Sequence, residues 1–160
     1  MDKNITPYKI IYHLSDVAVC IEEWKQCGFK IVFTNGCFDI LHRGHVEYLF
    51  HAAALGDKLI VGLNSDSSVR RLKGDTRPIQ NQTARAIILA SLRVVDAVCI
   101  FEEDTPQSLI EIVSPDFLIK GGDYTIEDIV GYKHVTAYGG VVKTIPLVDG
   151  YSTSAIIKKF

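Results

Sequence analysis

The amino-acid sequence predicts an α/β chain of three layers, with a central parallel sheet of about five strands between two layers of helices. Three observations carry that expectation. Short runs at 30–34, 58–63, 97–101, 117–119 and 141–145 are apolar and rich in β-branched residues. Between them lie segments whose apolar residues recur at helical spacing. Within the runs the apolar residues are consecutive rather than alternating, as in strands covered on both faces, the habit of parallel sheets.

The elements follow in order. Residues 1–14 lack a period and are expected to form an arm, leaving 15–160 as a single domain. Ser15 is a good N-cap; after it Val17, Cys20, Ile21 and Trp24 share one helix face, and Gly28 ends that helix. The first strand is 30–34, and residues 35–44 then interrupt regular structure with glycines and polar side chains. Val46, Leu49, Phe50 and Ala53 resume helical spacing as far as Gly56, before the second strand at 58–63. Residues 64–82 are polar, contain Gly74 and Pro78, and read as loop. Thr83 caps a helix running to about Arg93, and 97–101 is the third strand. Thr105 stands before Pro106, a cap before a proline at the first helical position; Leu109, Ile110 and Val113 continue that helix until Pro115. The fourth strand is 117–119, residues 124–138 stay unassigned, the fifth strand is 141–145, and Ser152 opens a last helix. The alternation is Rossmann-like, with no internal repeat or linker.

Size and composition narrow the function classes. With 160 residues the chain has room for one core, and 48% apolar and 22% charged residues are an ordinary globular balance. A formal net charge of -2 provides no global field to recruit nucleic acid or an anionic membrane, so neither is an expected partner. Cys20, Cys27, Cys37 and Cys99 form no CxxC pair and no Cys/His cluster of zinc spacing, so reduced thiols in a cytoplasmic protein are expected. No apolar run of the signal-peptide kind follows Met1, and no stretch has membrane-spanning length.

In open parallel sheets, ligands sit beyond the carboxyl ends of the strands. Beyond the first strand come Thr34, Asn35, Gly36, Cys37, Phe38 and Asp39, then His42, Arg43, Gly44 and His45. Two histidines at a helix start stand beside unpaired N–H groups and the positive end of the helix dipole, which is a site for an anion. Their imidazoles would donate hydrogen bonds to phosphate oxygens, and Gly36 and Gly44 let a bulky ligand approach the backbone. Either histidine alone reads as a capping or surface residue, but the pair in this setting does not. A zinc pair is the other reading, with no third ligand evident nearby. Beyond the second strand, Asn64 and Asp66 lead into Arg70, Arg71, Lys73, Arg77 and Arg85, five cations within sixteen residues. They are enough for a polyphosphate, or else form a solvated basic face. Beyond the fourth strand, Lys120, Gly121, Gly122, Asp123 and Tyr124 press backbone against a flat ligand such as a base, or simply turn. Beyond the fifth, Ser152, Thr153 and Ser154 set hydroxyls at a helix start, to meet phosphate or to cap it. No GxxxxGKS/T P-loop, GxGxxG turn or GxSxG elbow is present, which disfavours P-loop NTPases, dinucleotide dehydrogenases and hydrolases of that type.

The segment from Phe33 to His45 resembles the HxGH signature of the cytidylyltransferase-like nucleotidyltransferases. That superfamily includes glycerol-3-phosphate cytidylyltransferase, pantetheine-phosphate adenylyltransferase and nicotinamide-nucleotide adenylyltransferase. Over about residues 30–160 the similarity narrows to one branch. Asn64-Ser65-Asp66, Arg71-Leu72-Lys73-Gly74-Asp75, Arg77-Pro78-Ile79, Phe101-Glu102-Glu103-Asp104-Thr105-Pro106, Lys120-Gly121-Gly122-Asp123-Tyr124 and Asp149-Gly150-Tyr151-Ser152-Thr153-Ser154 occur in order. Together they resemble the adenylyltransferase domain of the bacterial ADP-heptose synthases.

The resemblance implies transfer of AMP from ATP to D-glycero-β-D-manno-heptose 1-phosphate, with release of pyrophosphate, in heptose supply for the lipopolysaccharide core. It implies Mg²⁺ as cofactor, held mainly by the nucleotide phosphates, a homo-oligomer such as a dimer, and a separate sugar kinase upstream. It also assigns roles. His42, His45, Lys73 and Arg85 are the expected catalytic residues, with the histidines on the triphosphate, Lys73 on phosphate and Arg85 near its β/γ end. Thr34, Asn35, Gly36, Cys37, Phe38, Asp39, Gly44, Asn64 and Asp66 are expected to bind nucleotide. Lys120, Gly121, Gly122, Asp123 and Tyr124 would meet base and ribose, and Ser152, Thr153 and Ser154 the phosphates. Cys37 is expected to pack rather than react. Asn81, Gln82, Thr83 and Ala84 lack the acidic residues of the pattern, and Leu147 and Val148 stand near where the cytidylyltransferase branch carries an arginine, a departure that weakens the cytidylyltransferase reading. Two alternatives remain open: a cytidylyltransferase acting on glycerol 3-phosphate or a related alcohol phosphate, and a nucleotide-binding regulatory module without turnover.

Overall fold

The structure is a computed structural model that describes residues 10–11 and 14–159. Its strands form where apolar and β-branched residues run together: β1 (Ile10–Ile11), β2 (Ile31–Gly36), β3 (Lys58–Asn64), β4 (Ala97–Phe101), β5 (Phe117–Gly121) and β6 (Val141–Ile145). All pair in parallel, in the order β1-β4-β3-β2-β5-β6. The five runs expected from the sequence are therefore strands, and a two-residue edge is added. Part of the expected N-terminal arm belongs to the sheet, because Ile10 pairs with Val98 and Ile11 with Cys99. The arm's last residue, Leu14, opens the first helix, and residues 1–9 and 12–13 lie outside the described residues.

The helices are α1 (Leu14–Gln26), α2 (Arg43–Ala53), α3 (Asp66–Lys73), α4 (Gln82–Ala90), α5 (Gln107–Val113), α6 (Tyr132–Ala137) and α7 (Thr153–Ile157). They cover both faces of the sheet. Val17 and Ile21 of α1 and Leu109, Ile110 and Val113 of α5 pack with Ile31, Phe33 and Ile60. Tyr48, Leu49 and Ala52 of α2 and Ala86, Leu89 and Ala90 of α4 pack with Val32, Leu59, Val61 and Leu63. Alternate residues of one strand thus feed opposite cores, Ile31 and Phe33 one and Val32 the other. Each such side chain, once buried, contributes about 1.5–3 kcal/mol.

Several details differ from the sequence reading. Ser15 lies within α1 rather than capping it, and Pro106, not Thr105, stands at the N-cap of α5. The polar stretch expected as loop contains α3, whose N-cap Ser65 accepts a hydrogen bond from the Ser68 amide at 3.1 Å while Val69 anchors it in the core. The next helix is capped by Asn81 rather than Thr83, its side chain accepting from Ala84 N at 2.9 Å, and ends at Ala90, short of Arg93. The unassigned stretch holds a 3-10 turn, Ile126–Asp128, and α6.

From β2 the chain runs through β3 to β4 on one side and resumes with β5 and β6 on the other. The connections therefore diverge above β2 and β5, the switch point at which open α/β sheets place their ligands.

Candidate active site

β2 delivers the chain to that switch point, and residues 37–42 turn it into α2. Phe38 (φ 45) and Ile40 (φ 53) adopt left-handed backbone, which is costly for residues carrying a Cβ. Two buried side chains hold the turn in this shape. The Asp39 carboxylate accepts from Arg77 Nε at 2.7 Å, Ile79 N at 2.8 Å and Gln80 N at 3.0 Å. Burial pushes this carboxyl up, but the Gln80 and Ile79 amides and the Arg77 guanidinium outweigh it and hold the group below the usual carboxylate range. Arg85 grips the turn from behind. Its Nη1 donates to Cys37 O at 2.7 Å and Asn64 O at 2.8 Å, its Nε to Gln80 O at 2.9 Å and its Nη2 to Asp66 Oδ1 at 2.7 Å. The Thr153 hydroxyl donates to Asp39 O at 2.7 Å and ties α7 to the same turn.

The histidine pair opens α2. His42 is its N-cap residue but makes no side-chain cap bond, and the first turn has no acidic residue. Val46 N is the first amide to reach back, to His42 O at 3.2 Å, so the three amides before it lack helical partners. The two imidazoles stack, centroids 3.8 Å apart at 20°. The Nδ1 atoms of both are buried without a hydrogen-bond partner among the described residues. Burial pushes both rings down, and His42 pushes His45 further, to about 4. Both rings are therefore neutral at neutral pH. A Cβ on Gly44 would lie 3.1 Å from Tyr151 Cβ and 3.2 Å from the His42 ring, so glycine lets the segment before α7 close over the pair.

Two clefts meet at this pair. The first, about 280 Å³, has His42, Gly44, Tyr48, Gly121, Leu147 and Tyr151 in its walls. A Cβ on Gly121 would come within 2.9 Å of Leu147 and 3.2 Å of Tyr48, so this wall is flat because the residue is glycine. The Tyr48 hydroxyl is 2.6 Å from Thr34 Oγ1 and 3.2 Å from Ile119 O. The second cleft, about 490 Å³, has Asn64, Lys73, Arg77, Thr105 and Ser154 in its walls. The clefts share the 35–38 turn, His45, Lys120 and Thr153.

The expected site residues divide accordingly. Asn35, Gly36, Cys37, Phe38, His42, Gly44, His45, Lys120, Gly121, Tyr124, Ser152 and Thr153 line the first cleft, and Asp39, Asn64, Lys73 and Ser154 only the second. Thr34, Asp66, Arg85, Gly122 and Asp123 line neither. Arg85 is the main correction: expected on the phosphates, it is 1% exposed with its donors spent on protein oxygens. The basic cluster also resolves differently from its sequence reading. Arg71 pairs with Asp104 at 2.6 Å, Arg77 with Asp39 and Arg85 with Asp66, while Lys73 lines the cleft without an ion pair among the described residues and Arg70 is exposed elsewhere. Ser152 caps α7, accepting from Ala155 N at 3.1 Å. Burial raises the Cys37 thiol despite the nearby cations, so it stays protonated.

Sequence reasoning missed Tyr48, Thr105, Pro106 and Val130 as wall residues. Tyr48 lies one helical turn from His45, the only signal that would have found it. Among the described residues no three His, Cys, Asp or Glu side chains gather to hold a metal ion, and no helix is long and apolar enough to cross a membrane.

Known proteins resemble this chain in sequence and in fold. A family model described as cytidylyltransferase-like matches residues 33–159. The chain is 54% identical over 151 residues to the bifunctional protein HldE of Rhodopseudomonas palustris (strain BisA53), covering 94% of this chain and 31% of that protein. It is 59% identical over 132 residues to the bifunctional protein HldE of Marinomonas sp. (strain MWYL1), covering 82% of this chain and 28% of that one. The chain thus spans less than a third of the length of these relatives. A crystal structure of the lipopolysaccharide core biosynthesis protein from Thermoplasma volcanium GSS1 superposes with a TM-score of 0.63 at 30% identity, over 78% of this chain and 100% of that one. The pantoate-beta-alanine ligase of Francisella tularensis shares the fold alone, with a TM-score of 0.62 at 18% identity over 94% and 72%. With the family match running from β2 through α7 and the histidine pair at the switch point, the chain belongs to the cytidylyltransferase-like family of nucleotidyltransferases.

Proposed function

We propose that the chain transfers AMP from ATP to D-glycero-β-D-manno-heptose 1-phosphate, giving ADP-heptose and pyrophosphate. The observation that carries this reading is the stacked His42–His45 pair, with unpartnered nitrogens at an uncapped helix start on the wall where two clefts meet. Adjoining clefts suit a reaction between two bound substrates, and the wall they share is where the two would meet. ATP takes the first cleft, its adenine against Gly121 and Leu147 and its phosphates at the first turn of α2. The heptose assignment rests on the ordered motifs from Asn64 to Ser154 and on relatives named HldE. The apolar Leu147 and Val148 in the cleft wall support ATP as donor. A kinase must supply the sugar 1-phosphate.

A phosphate oxygen of the acceptor attacks the α-phosphorus in line and forms the new P–O bond. The bond from the α-phosphorus to the bridging oxygen breaks, and pyrophosphate leaves with that electron pair. The nucleophile is already an anion, so no general base is required, and catalysis is positioning and charge stabilisation. The walls fit such chemistry: Asp39 and Asp104 are committed to Arg77 and Arg71, and Cys37 is held as a thiol. The imidazoles and Lys73 meet the charge that develops on the phosphates. Mg²⁺ carried on the phosphates with its own waters would supply further neutralisation, since those carboxylates are not free to hold it.

Pyrophosphate release, measured with Mg²⁺ and the heptose 1-phosphate, is expected with ATP and not with CTP. Release with CTP and an alcohol phosphate instead would identify a cytidylyltransferase. ATP binding without release for any acceptor would identify a regulatory module.

A further inference from the structure

A third cavity, about 220 Å³, opens beside the second cleft and shares Asn35, Pro106, Lys120 and Val130 with it. Its other walls are Tyr124, Asp128 and Ile129, from the stretch that carries no readable pattern in the sequence. Lys120 stands where all three cavities join. Its ammonium lies 5.8 Å over the Tyr124 ring and makes no hydrogen bond or ion pair with a described residue. The side-chain amide of Asn35 and the Asp128 carboxylate likewise make no hydrogen bond with a described residue. Pro106, Ile129 and Val130 make the remaining surface apolar.

This combination suits a phosphorylated polyol better than a nucleobase. An unpaired ammonium at the mouth takes a phosphate. An amide and a carboxylate with free oxygens accept hydrogen bonds from hydroxyls, and the apolar surface meets the C–H face of a sugar ring. The flat, glycine-built wall lies on the other side of Lys120, in the first cleft. We propose that the cavity formed by Asn35, Pro106, Lys120, Tyr124, Asp128 and Ile129 is the acceptor subsite, with Lys120 receiving the acceptor's phosphate and Asp128 and Asn35 reading its sugar hydroxyls. The inference rests on the adenylyltransferase reading and moves Lys120 from the nucleotide to the acceptor. Burial pushes this ammonium down, and an acceptor phosphate beside it would push it back up.

The test compares Lys120→Met and Asp128→Asn with the unaltered chain. Initial rates are taken with heptose 1-phosphate, glucose 1-phosphate and glycerol 3-phosphate, and binding of a non-hydrolysable ATP analogue is followed by calorimetry. Lys120→Met is expected to raise the acceptor KM about tenfold or more, with the affinity for the ATP analogue changed less than about twofold. Asp128→Asn is expected to raise the KM for sugar phosphates about three- to tenfold and to spare glycerol 3-phosphate. Matching thermal unfolding of all three proteins excludes misfolding as the cause. An unchanged acceptor KM in Lys120→Met, or an equal loss of ATP-analogue affinity, overturns the subsite while the proposed reaction stands. Turnover of glycerol 3-phosphate alone, with its KM raised by Lys120→Met, keeps Lys120 as the acceptor's phosphate site and removes the heptose. No turnover with any of the three acceptors overturns both.

Discussion

Two sets of polar side chains meet at the carboxyl end of β2, and they differ in whether their hydrogen bonds are already made. Behind the 37–42 turn, Asp39 and Arg85 are each 1% exposed and fully engaged. In front of it, the His42 and His45 Nδ1 atoms and the Lys73 and Lys120 ammonium groups have no hydrogen-bond partner among the described residues. Buried polar groups are ordinarily paired, and leaving one unpaired costs about 1–3 kcal/mol. Residue type does not separate the two sets, since each contains cations. Saturation does: a side chain whose donors are spent shapes the cleft, and one whose donors are open waits for a ligand.

The largest expected effect comes from the open set. His45→Ala should lower kcat by about 10²–10³-fold while thermal unfolding stays nearly unchanged. The closed set should respond the other way. Arg85→Met strands Asp66 and three carbonyls, and urea unfolding should record a loss of about 3–5 kcal/mol. Asp39→Asn, which leaves Arg77 unpaired, should cost less, about 1–3 kcal/mol by the same measurement. An Arg85→Met protein as stable as the unaltered chain but without turnover would break the comparison, by placing Arg85 in the open set.

A pH series sharpens it. His45 sits at about 4 in the folded protein against an ordinary 6.5. The unfolded chain therefore takes up that proton first, and stability should fall as pH drops from about 6.5 to about 4. Asp39 is held low, and so is Asp116, where burial is outweighed by hydrogen bonds from Lys30 and the Ile31 amide; their contribution is present above the ordinary carboxylate value of 3.8 and is lost as pH falls through their folded values. His45→Asn should reduce the loss in the upper window to the part that His42 contributes and leave the lower window, as urea unfolding across both would show. The smallest effect is expected at Arg71→Ala. Its ion pair with Asp104 spans 2.6 Å between half-exposed side chains, and thermal unfolding should not register its loss.

Legibility in the sequence followed the range over which each feature is decided. The five long strands and the helices α1, α2, α4 and α5 were readable because each is announced by its own run of apolar residues. The strand Ile10–Ile11 was not, since two residues carry no period and their place is decided by the free edge of β4. α3 was hidden by Asp66, Ser67 and Ser68, residue types that compete for backbone hydrogen bonds, although Ser65 held the cap signal. The histidine pair was readable from local spacing. The burial of Arg85 was not, because its partners Cys37, Asn64 and Asp66 lie 48, 21 and 19 residues away. The flat wall of the first cleft likewise needs Tyr48, Gly121 and Leu147 to be brought together by the fold.

The measurement that tests the central claim most directly is a titration of ¹⁵N-labelled imidazoles with Mg²⁺ and ATP. Free His45 should titrate near 4. On binding, the resonances of His42 and His45 should shift and the His45 pKa should rise, because phosphate beside an imidazole favours its cation. Resonances of both rings left unmoved at saturating ATP would contradict the assignment of this pair as the phosphate site.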